Sequence, residues 1–314
     1  MFLSNMMIAA KQVVILYLLV AVGAVCDKVH LFTEKTAKAC TDLLFYVITF
    51  CVIVQSFLTM DNTASNTKNL LIAIGCGMLM HLVAALISVP LFRKGDKARN
   101  AVFRYAAVFG NCGYMGLPLT NAVLGTQGVF FCSAVIVAFQ VCAFTYGIYV
   151  MTADQEGKGA FDWKMILLNP GVIAVIVGLP LYFSNLQLPT VFLQPVQYLS
   201  DMNTPLAMLI FGTYLAHADF RTMLREKKIA LVALCKLILL PLILLGFYIL
   251  FGIRGTLLAT LVLTASAPSA NNTVMFAAKY DKDTGLAAQT VSAVSLISIV
   301  TMPAMIALAM SFPG

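Results

Sequence analysis

The chain has 314 residues, 61% of them hydrophobic and 11% charged, with a formal net charge of +7, whereas an ordinary soluble domain carries about 25% charged residues. Apolar runs long enough to cross a hydrocarbon layer of ~30 Å recur from end to end, which leaves no stretch for a soluble domain and places the function inside a bilayer. The positive balance does not point to nucleic acid, because the basic residues sit in short loops between the runs and build no continuous patch.

Dividing the runs at charges and turn residues predicts ten helices, over 7–26, 38–58, 70–92, 101–124, 128–151, 165–184, 195–216, 229–251, 255–278 and 286–311. The first lacks both a basic region ahead of it and an A-x-A cleavage site, so it reads as a span and not as a removed leader. Asp42 in the second lies near a helix end and is read as interfacial, as is Asp201 in the seventh. Near the middle of the third stands His81, able to couple a proton if it titrates and otherwise a neutral hydrogen-bonded residue. The fourth is interrupted by Gly110-Asn111-Cys112-Gly113-Tyr114-Met115-Gly116-Leu117-Pro118. In the fifth, Gln140 is placed to face that interruption, with Ser295 and Ser298 of the tenth as its counterparts. Lys236 lies about eight residues into the eighth helix, ~12 Å deep at 1.5 Å per residue, where it either attracts an anion or packs. The ninth is interrupted by Ser266-Ala267-Pro268-Ser269-Ala270-Asn271-Asn272. Pro241 and Pro303 read as ordinary kinks. Eight cysteines, mostly inside the spans and without a C-x-x-C pair, read as small apolar residues, not as disulfides or metal ligands.

Short cytoplasmic loops carry an excess of Lys and Arg. Loops after odd-numbered helices hold sixteen of the twenty, from Lys28, Lys35 and Lys38 at one end to Lys279 and Lys282 at the other, while loops after even-numbered helices hold only Lys68 and Arg254. This alternation puts the odd loops in the cytoplasm and both termini outside. The one long polar interruption, 153–164, divides the chain into halves, 1–152 and 165–314, of five helices each. An odd number of spans makes the second half enter with opposite orientation. The expected fold is therefore an all-α polytopic membrane protein of ten helices in two inverted five-helix repeats, with helices 4 and 9 broken at Pro118 and Pro268, 150 residues apart.

Non-helical backbone at membrane depth is tolerated only where protein buries it or it lines a water-filled cavity. Two such breaks mark a binding site. The N-terminal end of a resumed helix favours anions and unwound carbonyls favour cations. Gly110, Gly113 and Gly116 permit unusual dihedrals and close backbone approach, and Pro118 disfavours helix at Leu117. Asn111, Asn271 and Asn272 add amides without charge, and Ser266 and Ser269 are expected to cap the new helix start. The predicted substrate-binding set is Asn111, Cys112, Gly113, Tyr114, Pro118, Pro268, Ser269, Asn271 and Asn272; His81, Gln140, Lys236 and Ser266 are the candidates for ion coupling, by Na⁺ or H⁺. The spacing is not G-x-G-x-x-G, and no strand precedes it, so nucleotide binding is rejected, and no cofactor or metal is expected.

In Gly110, Asn111, Gly113, Gly116 and Pro118, in the stretch from Ala265 through Asp283 to Thr301-Met302-Pro303, and in Thr204-Pro205-Leu206, the chain resembles the auxin efflux carrier family, whose bacterial members include permeases for malate and other organic acids. The resemblance runs over essentially the whole chain. It implies a fold shared with bile-acid and sodium/proton carriers, in which helices 1, 2, 6 and 7 form a scaffold and helices 3, 4, 5, 8, 9 and 10 a moving transport unit around crossed helices 4 and 9. It further implies that Asn111 contacts a substrate carboxylate and that the scaffold helices form a homodimer. The acidic residue that plant members carry in the third helix has no counterpart in 70–92, and their long central loop is missing. The expected function is secondary transport of a small organic anion, a mono- or dicarboxylate, across the cell membrane. A Na⁺- or H⁺-coupled cation exchanger on the same fold is the alternative, although helices 3, 4, 5, 9 and 10 lack the core acids it would use. An intramembrane enzyme is disfavoured by the absence of H-E-x-x-H, G-x-S-x-G and a buried acid pair.

Overall fold

The computed structural model describes residues 2–153, 164, 167–184, 188–216 and 226–312, and of the polar interruption 153–164 it therefore covers only Ala153 and Lys164. Among the described residues the regular structure is helical, apart from one isolated antiparallel bridge between Gly110 and Ser269. Five helical stretches are long and apolar enough to cross a membrane, namely Lys35–Thr59, Ala64–Leu91, Cys112–Thr152, Lys227–Leu250 and Thr284–Met310; Pro170–Ser184 and Gly255–Ala265 are shorter apolar helices.

In chain order, α1 (Phe2–Lys28) is followed by α2 (Glu34–Leu43), which continues through a π-helical turn into α3 (Thr49–Thr59), and then by α4 (Ala64–Leu91). Next come α5 (Lys97–Val108), then, entered through a second π turn (Cys112–Gly116), α6 (Leu117–Cys142) and, after a third (Ala143–Gly147), α7 (Ile148–Thr152). The later helices are α8 (Pro170–Ser184), α9 (Thr190–Asp201), α10 (Asn203–Ala216), α11 (Lys227–Leu234), α12 (Leu240–Leu250), α13 (Gly255–Ala265), α14 (Asn272–Lys279) and α15 (Thr284–Met310).

Polar residues decide where these helices begin. α4 starts six residues before the expected position because the Thr63 side chain accepts a bond from the Asn66 N–H at 3.1 Å, and α5 starts early because Asp96 accepts from Ala98 N–H at 2.8 Å. Asp283 does the same for α15, accepting from Leu286 N–H at 2.8 Å. The expected helices 101–124 and 128–151 meet inside α6 at Gly125, whose φ of 63° and ψ of −159° leave helical geometry. Only glycine takes that conformation without strain. The expected helix 195–216 is a correction: the chain forms two helices there, α9 and α10, parted at Met202 between Asp201 and Asn203.

Close glycine contacts set the packing of α1 on α10. A Cβ built on Gly212 would lie 2.1 Å from the Val20 carbonyl oxygen, and one on Gly23 would lie 2.3 Å from that of Leu209. Small residues let backbones approach in this way where lipid supplies no hydrophobic drive. α3 lies on α8, with Phe57 filling the space over Gly178. α4 and α13 pack on α6, and α15 runs against α1, α11, α13 and α14. At one end, Arg99 of α5 pairs with Glu226 at 2.8 Å and with Asp283 at 3.5 Å, while Lys228 Nζ donates to Asn100 Oδ1 at 2.7 Å. The starts of α5, α11 and α15 are thereby held together.

Candidate substrate site at the helix crossing

Helical backbone stops at Val108 and resumes at Cys112, and it stops again at Ala265 and resumes at Asn272. The two interruptions pair with each other. Asn111 N–H donates to the Pro268 carbonyl at 2.6 Å, and Ala270 N–H donates to the Phe109 carbonyl at 2.9 Å, so the two extended segments run antiparallel for the length of one bridge. Proline explains why the second segment can serve: it lacks an N–H of its own, and its carbonyl is turned toward the neighbouring break. The bare peptide groups that lipid would penalise are thus satisfied across the crossing.

Side chains reinforce the crossing. Ser269 Oγ donates to the Ala106 carbonyl at 2.8 Å and is fully buried, and Cys112 Sγ lies 3.8 Å from the Thr264 carbonyl. Ser266 Oγ donates to Leu263 O at 2.9 Å, within its own helix. The expectation that these serines cap a helix start is corrected: both hydroxyls bond carbonyls, and the N-cap of α14, Asn271, makes no side-chain cap bond. The reason is position, since each serine stands before the resumed helix, where carbonyls released by the break are nearer than the new N–H groups.

Asn111 is the best-defined polar side chain here. It is 5% exposed, and its Oδ1 accepts from the Tyr114 N–H at 3.1 Å. A backbone N–H can be met only by the oxygen, which fixes the amide's orientation and turns Nδ2, with its two donors, away from the helix. Asn111 borders a cavity of about 470 Å³ whose walls come from five helical regions. Thr41 and Leu44 enter from the α2 end, Tyr114 and Met115 from the helical turn that resumes after the first break, and Phe211 and Tyr214 from α10. Asn271 and Val274 complete it at the start of α14, with Ser292 and Ser295 on α15. Among the described residues no Asp, Glu, Lys or Arg lines this cavity. Its polar groups are amides and hydroxyls set among apolar walls, the usual composition of a small-molecule site. Tyr114 is held by stacking on Phe45, ring centroids 5.2 Å apart, and Tyr214 Oη lies 3.3 Å from Thr41 Oγ1.

The structure sorts the predicted residues. Asn111, Tyr114, Asn271 and, from outside the expected substrate-binding set, Ser295 reach the large cavity. Cys112, Gly113, Asn272 and Gln140 instead line a void of about 30 Å³ with Asn169 and Gly171. Pro118 and Pro268 contribute carbonyls, Pro118 accepting from Thr204 Oγ1 at 3.1 Å. His81 is buried between the Phe109 and Phe139 rings with Nδ1 2.7 Å from the Gly77 carbonyl, away from the cavity. Lys236 is fully buried behind the crossing, with Nζ 3.4 Å from the Val108 carbonyl. Thr41, Phe211, Tyr214 and Ser292 were not anticipated. Each lies in an unbroken helix, where a lone hydroxyl or ring carries no sequence signal beyond its polarity.

An all-helical, lipid-soluble chain with two mutually paired helix breaks beside an uncharged cavity defines a membrane carrier. The chain matches the family of membrane transport proteins over residues 8–306 and belongs to it; it is a multi-pass transporter of the cell membrane and not an enzyme. An uncharacterised transporter of Methanocaldococcus jannaschii is 23% identical over 308 residues, covering 94% of this chain and 97% of the relative. An uncharacterised transporter of Methanothermobacter thermautotrophicus is 23% identical over 301 residues, covering 94% and 96%. A Rhizobium meliloti protein named "Putative malonate transporter" is 24% identical over 234 residues, covering 71% of this chain and 72% of its own.

Proposed function

We propose that the chain is a secondary transporter of a small organic anion, a mono- or dicarboxylate of malonate size, that binds at the crossing and moves by alternating access. The observation that carries this reading is the Asn111 amide, which borders an uncharged cavity with its oxygen engaged by Tyr114 N–H, leaving its two N–H donors for a ligand. Donors without a competing carboxylate suit an anion, and the positive ends of the helices that resume at Cys112 and Asn272 add to the attraction. A cation exchanger would need acidic groups there, and the described cavity residues include none. The name of the Rhizobium relative favours a dicarboxylate.

The ten-helix inverted repeat accounts for the packing. Exchanging helices of the two halves turns the pairing of α1 with α10 into that of α8 with α3, and both pairs pack closely. These four helices make the scaffold; the crossing, α4, the stretch 128–151 that runs from α6 into α7, α11, α12 and α15 make the moving unit. Cavity residues Thr41, Tyr214 and Ala288 lie close to the helix ends that adjoin the Lys- and Arg-rich loops. The cavity therefore opens to the cytoplasm, and both termini lie outside. On the outer side the units are closed by the Tyr17 hydroxyl donating to the Ile299 carbonyl, by Thr204 on Pro118, and by an apolar seam containing Leu16, Met208 and Met302.

Two measurements test the proposal. Proteoliposomes preloaded with malonate are expected to take up labelled malonate by exchange, with competition from other short carboxylates and none from small cations; no exchange with any carboxylate would remove the anion assignment. A Ser292→Cys variant is expected to react with a membrane-impermeant thiol reagent in inside-out vesicles, above the background of the parent chain, and to be protected by malonate. Equal reaction from the outer side would contradict the assigned opening.

A further inference from the structure

One charged group near the crossing has no part in the cavity. Lys236 is fully buried and sits in the π-helical turn Cys235–Leu239, just ahead of Pro241. That proline can neither donate to the ladder nor tolerate a tight preceding turn, and the widened turn relieves the clash. The ammonium reaches the end of α5, where Nζ is 3.4 Å from the Val108 carbonyl. It also presses on Gly110, since a Cβ there would lie 2.9 Å from Nζ and 3.3 Å from the Ala267 carbonyl oxygen. No carboxylate lies within ion-pair distance of it among the described residues. The titratable side chains near enough to feel its charge are His81 and Cys112.

A helix that stops in the membrane leaves a carbonyl end with about half a negative charge, which unwound carriers can satisfy with a bound cation. Here four of the carbonyls at the break already have donors, that of Ala107 not being among them. Tyr105 O accepts from Phe109 N–H, Ala106 O from Ser269 Oγ, Val108 O from Lys236 Nζ and Phe109 O from Ala270 N–H.

We infer that the Lys236 ammonium is the resident cation of the crossing: it holds the carbonyl end of Lys97–Val108 in place of a Na⁺ ion, so the carrier keeps its folded crossing, and takes up its anion, without Na⁺. The structural half of this inference stands on the contacts around Val108 and Gly110, while the statement about the anion rests on the proposed function. The positive charge lies on the far side of Gly110 from the substrate cavity. Lys236 is therefore a positioning residue that sets the sign of the field without contacting the solute.

The test uses the full chain in detergent micelles at fixed ionic strength, with choline, Na⁺ or methylammonium as the chloride salt, and thermal unfolding as the readout. Wild type is expected to unfold at the same temperature in all three. Lys236→Ala should unfold earlier in choline and regain stability in methylammonium or Na⁺, because the truncation opens room for a small cation. Lys236→Met, which fills the space without charge, should unfold earlier and respond to neither. A Na⁺-specific stabilisation of wild type overturns the inference, as does Lys236→Met matching wild type or Lys236→Ala ignoring every small cation. Should Lys236→Ala yield no folded protein, the wild-type and Lys236→Met arms still decide. In proteoliposomes, malonate exchange by wild type should be equal in Na⁺ and choline, and that of Lys236→Ala should become Na⁺-dependent. The thermal arms need no substrate, so a failure of the anion assignment leaves them standing and is told apart from a failure of this inference.

Discussion

Replacing Asn111 by Asp is expected to abolish carboxylate exchange while leaving the fold intact. An Asp carboxylate can still accept the Tyr114 N–H bond that Asn111 Oδ1 accepts at 3.1 Å, so the helix start after the break keeps its cap. Its second oxygen then stands where Nδ2 stood, facing the cavity with a negative charge in place of two donors. Like charges brought together at a binding surface cost several kcal/mol, and ~3 kcal/mol corresponds to a loss of roughly 100-fold in apparent affinity. Asn111→Ala is expected to be milder in transport, because it removes hydrogen bonds to a charged group worth about 1.5–3 kcal/mol, but harsher in stability, because Tyr114 N–H loses its partner. The two variants thus separate recognition from architecture: thermal unfolding should fall in Ala and hold in Asp, whereas malonate exchange should fall furthest in Asp. Exchange in Asn111→Ala equal to wild type would take Asn111 out of the site.

That pair of variants touches the part of the molecule most legible in the sequence. Glycine, proline and asparagine concentrated inside an apolar run can mean little else in lipid than interrupted helix; the second break, 266–271, falls on the expected stretch, whereas the first is confined to 109–111, and the expected break at Pro118 is a correction, because Cys112–Pro118 is already helical and proline is tolerated in a helix's first turn. Helix starts were not legible where a polar cap lies ahead of the apolar run: the caps Thr63 and Asp96 begin α4 and α5 six and four residues before the expected positions. The partition of polar side chains was not legible. Ser269 and Asn271 are two residues apart, yet one hydroxyl is spent inside the crossing and the other side chain faces the cavity. Distinguishing them requires knowing which carbonyl from residues near 106 comes within reach, and that is a tertiary fact. The same holds for Lys236, whose depth was readable from its place in the helix but whose partner, the Val108 carbonyl, lies 128 residues away in sequence. Thr41 and Tyr214 were out of reach for a further reason. They belong to continuous helices, and the cavity recruits them only because α2 and α10 flank the crossing.

Gly212→Ala is expected to be the most damaging substitution of a single methyl in the chain. The added Cβ would sit 2.1 Å from the Val20 carbonyl oxygen and 2.7 Å from the Ala24 nitrogen, backbone atoms that no rotamer change can remove. Gly23→Ala meets the Leu209 backbone from the other side at 2.3 Å. α1 and α10 would have to part along the contact, and in a membrane that loss is not offset by hydrophobic burial elsewhere, because close packing is itself the main attraction between helices. Overpacking a fitted core typically costs about 1–3 kcal/mol, and rigid backbone on both sides places these two at or above the upper figure. For a chain of this size ~3 kcal/mol lowers the unfolding midpoint by on the order of 5 °C. Gly75→Ala supplies the contrast, since nothing lies within 4 Å of its added methyl, and in mid-helix it should hold or slightly raise stability. The double variant Gly23→Ala/Gly212→Ala is expected to cost less than the sum of the singles, because one separation of α1 from α10 relieves both clashes. Strict additivity in thermal unfolding would mean that the two glycines do not share an interface, and the scaffold assigned to α1 and α10 would then lose its closest contact.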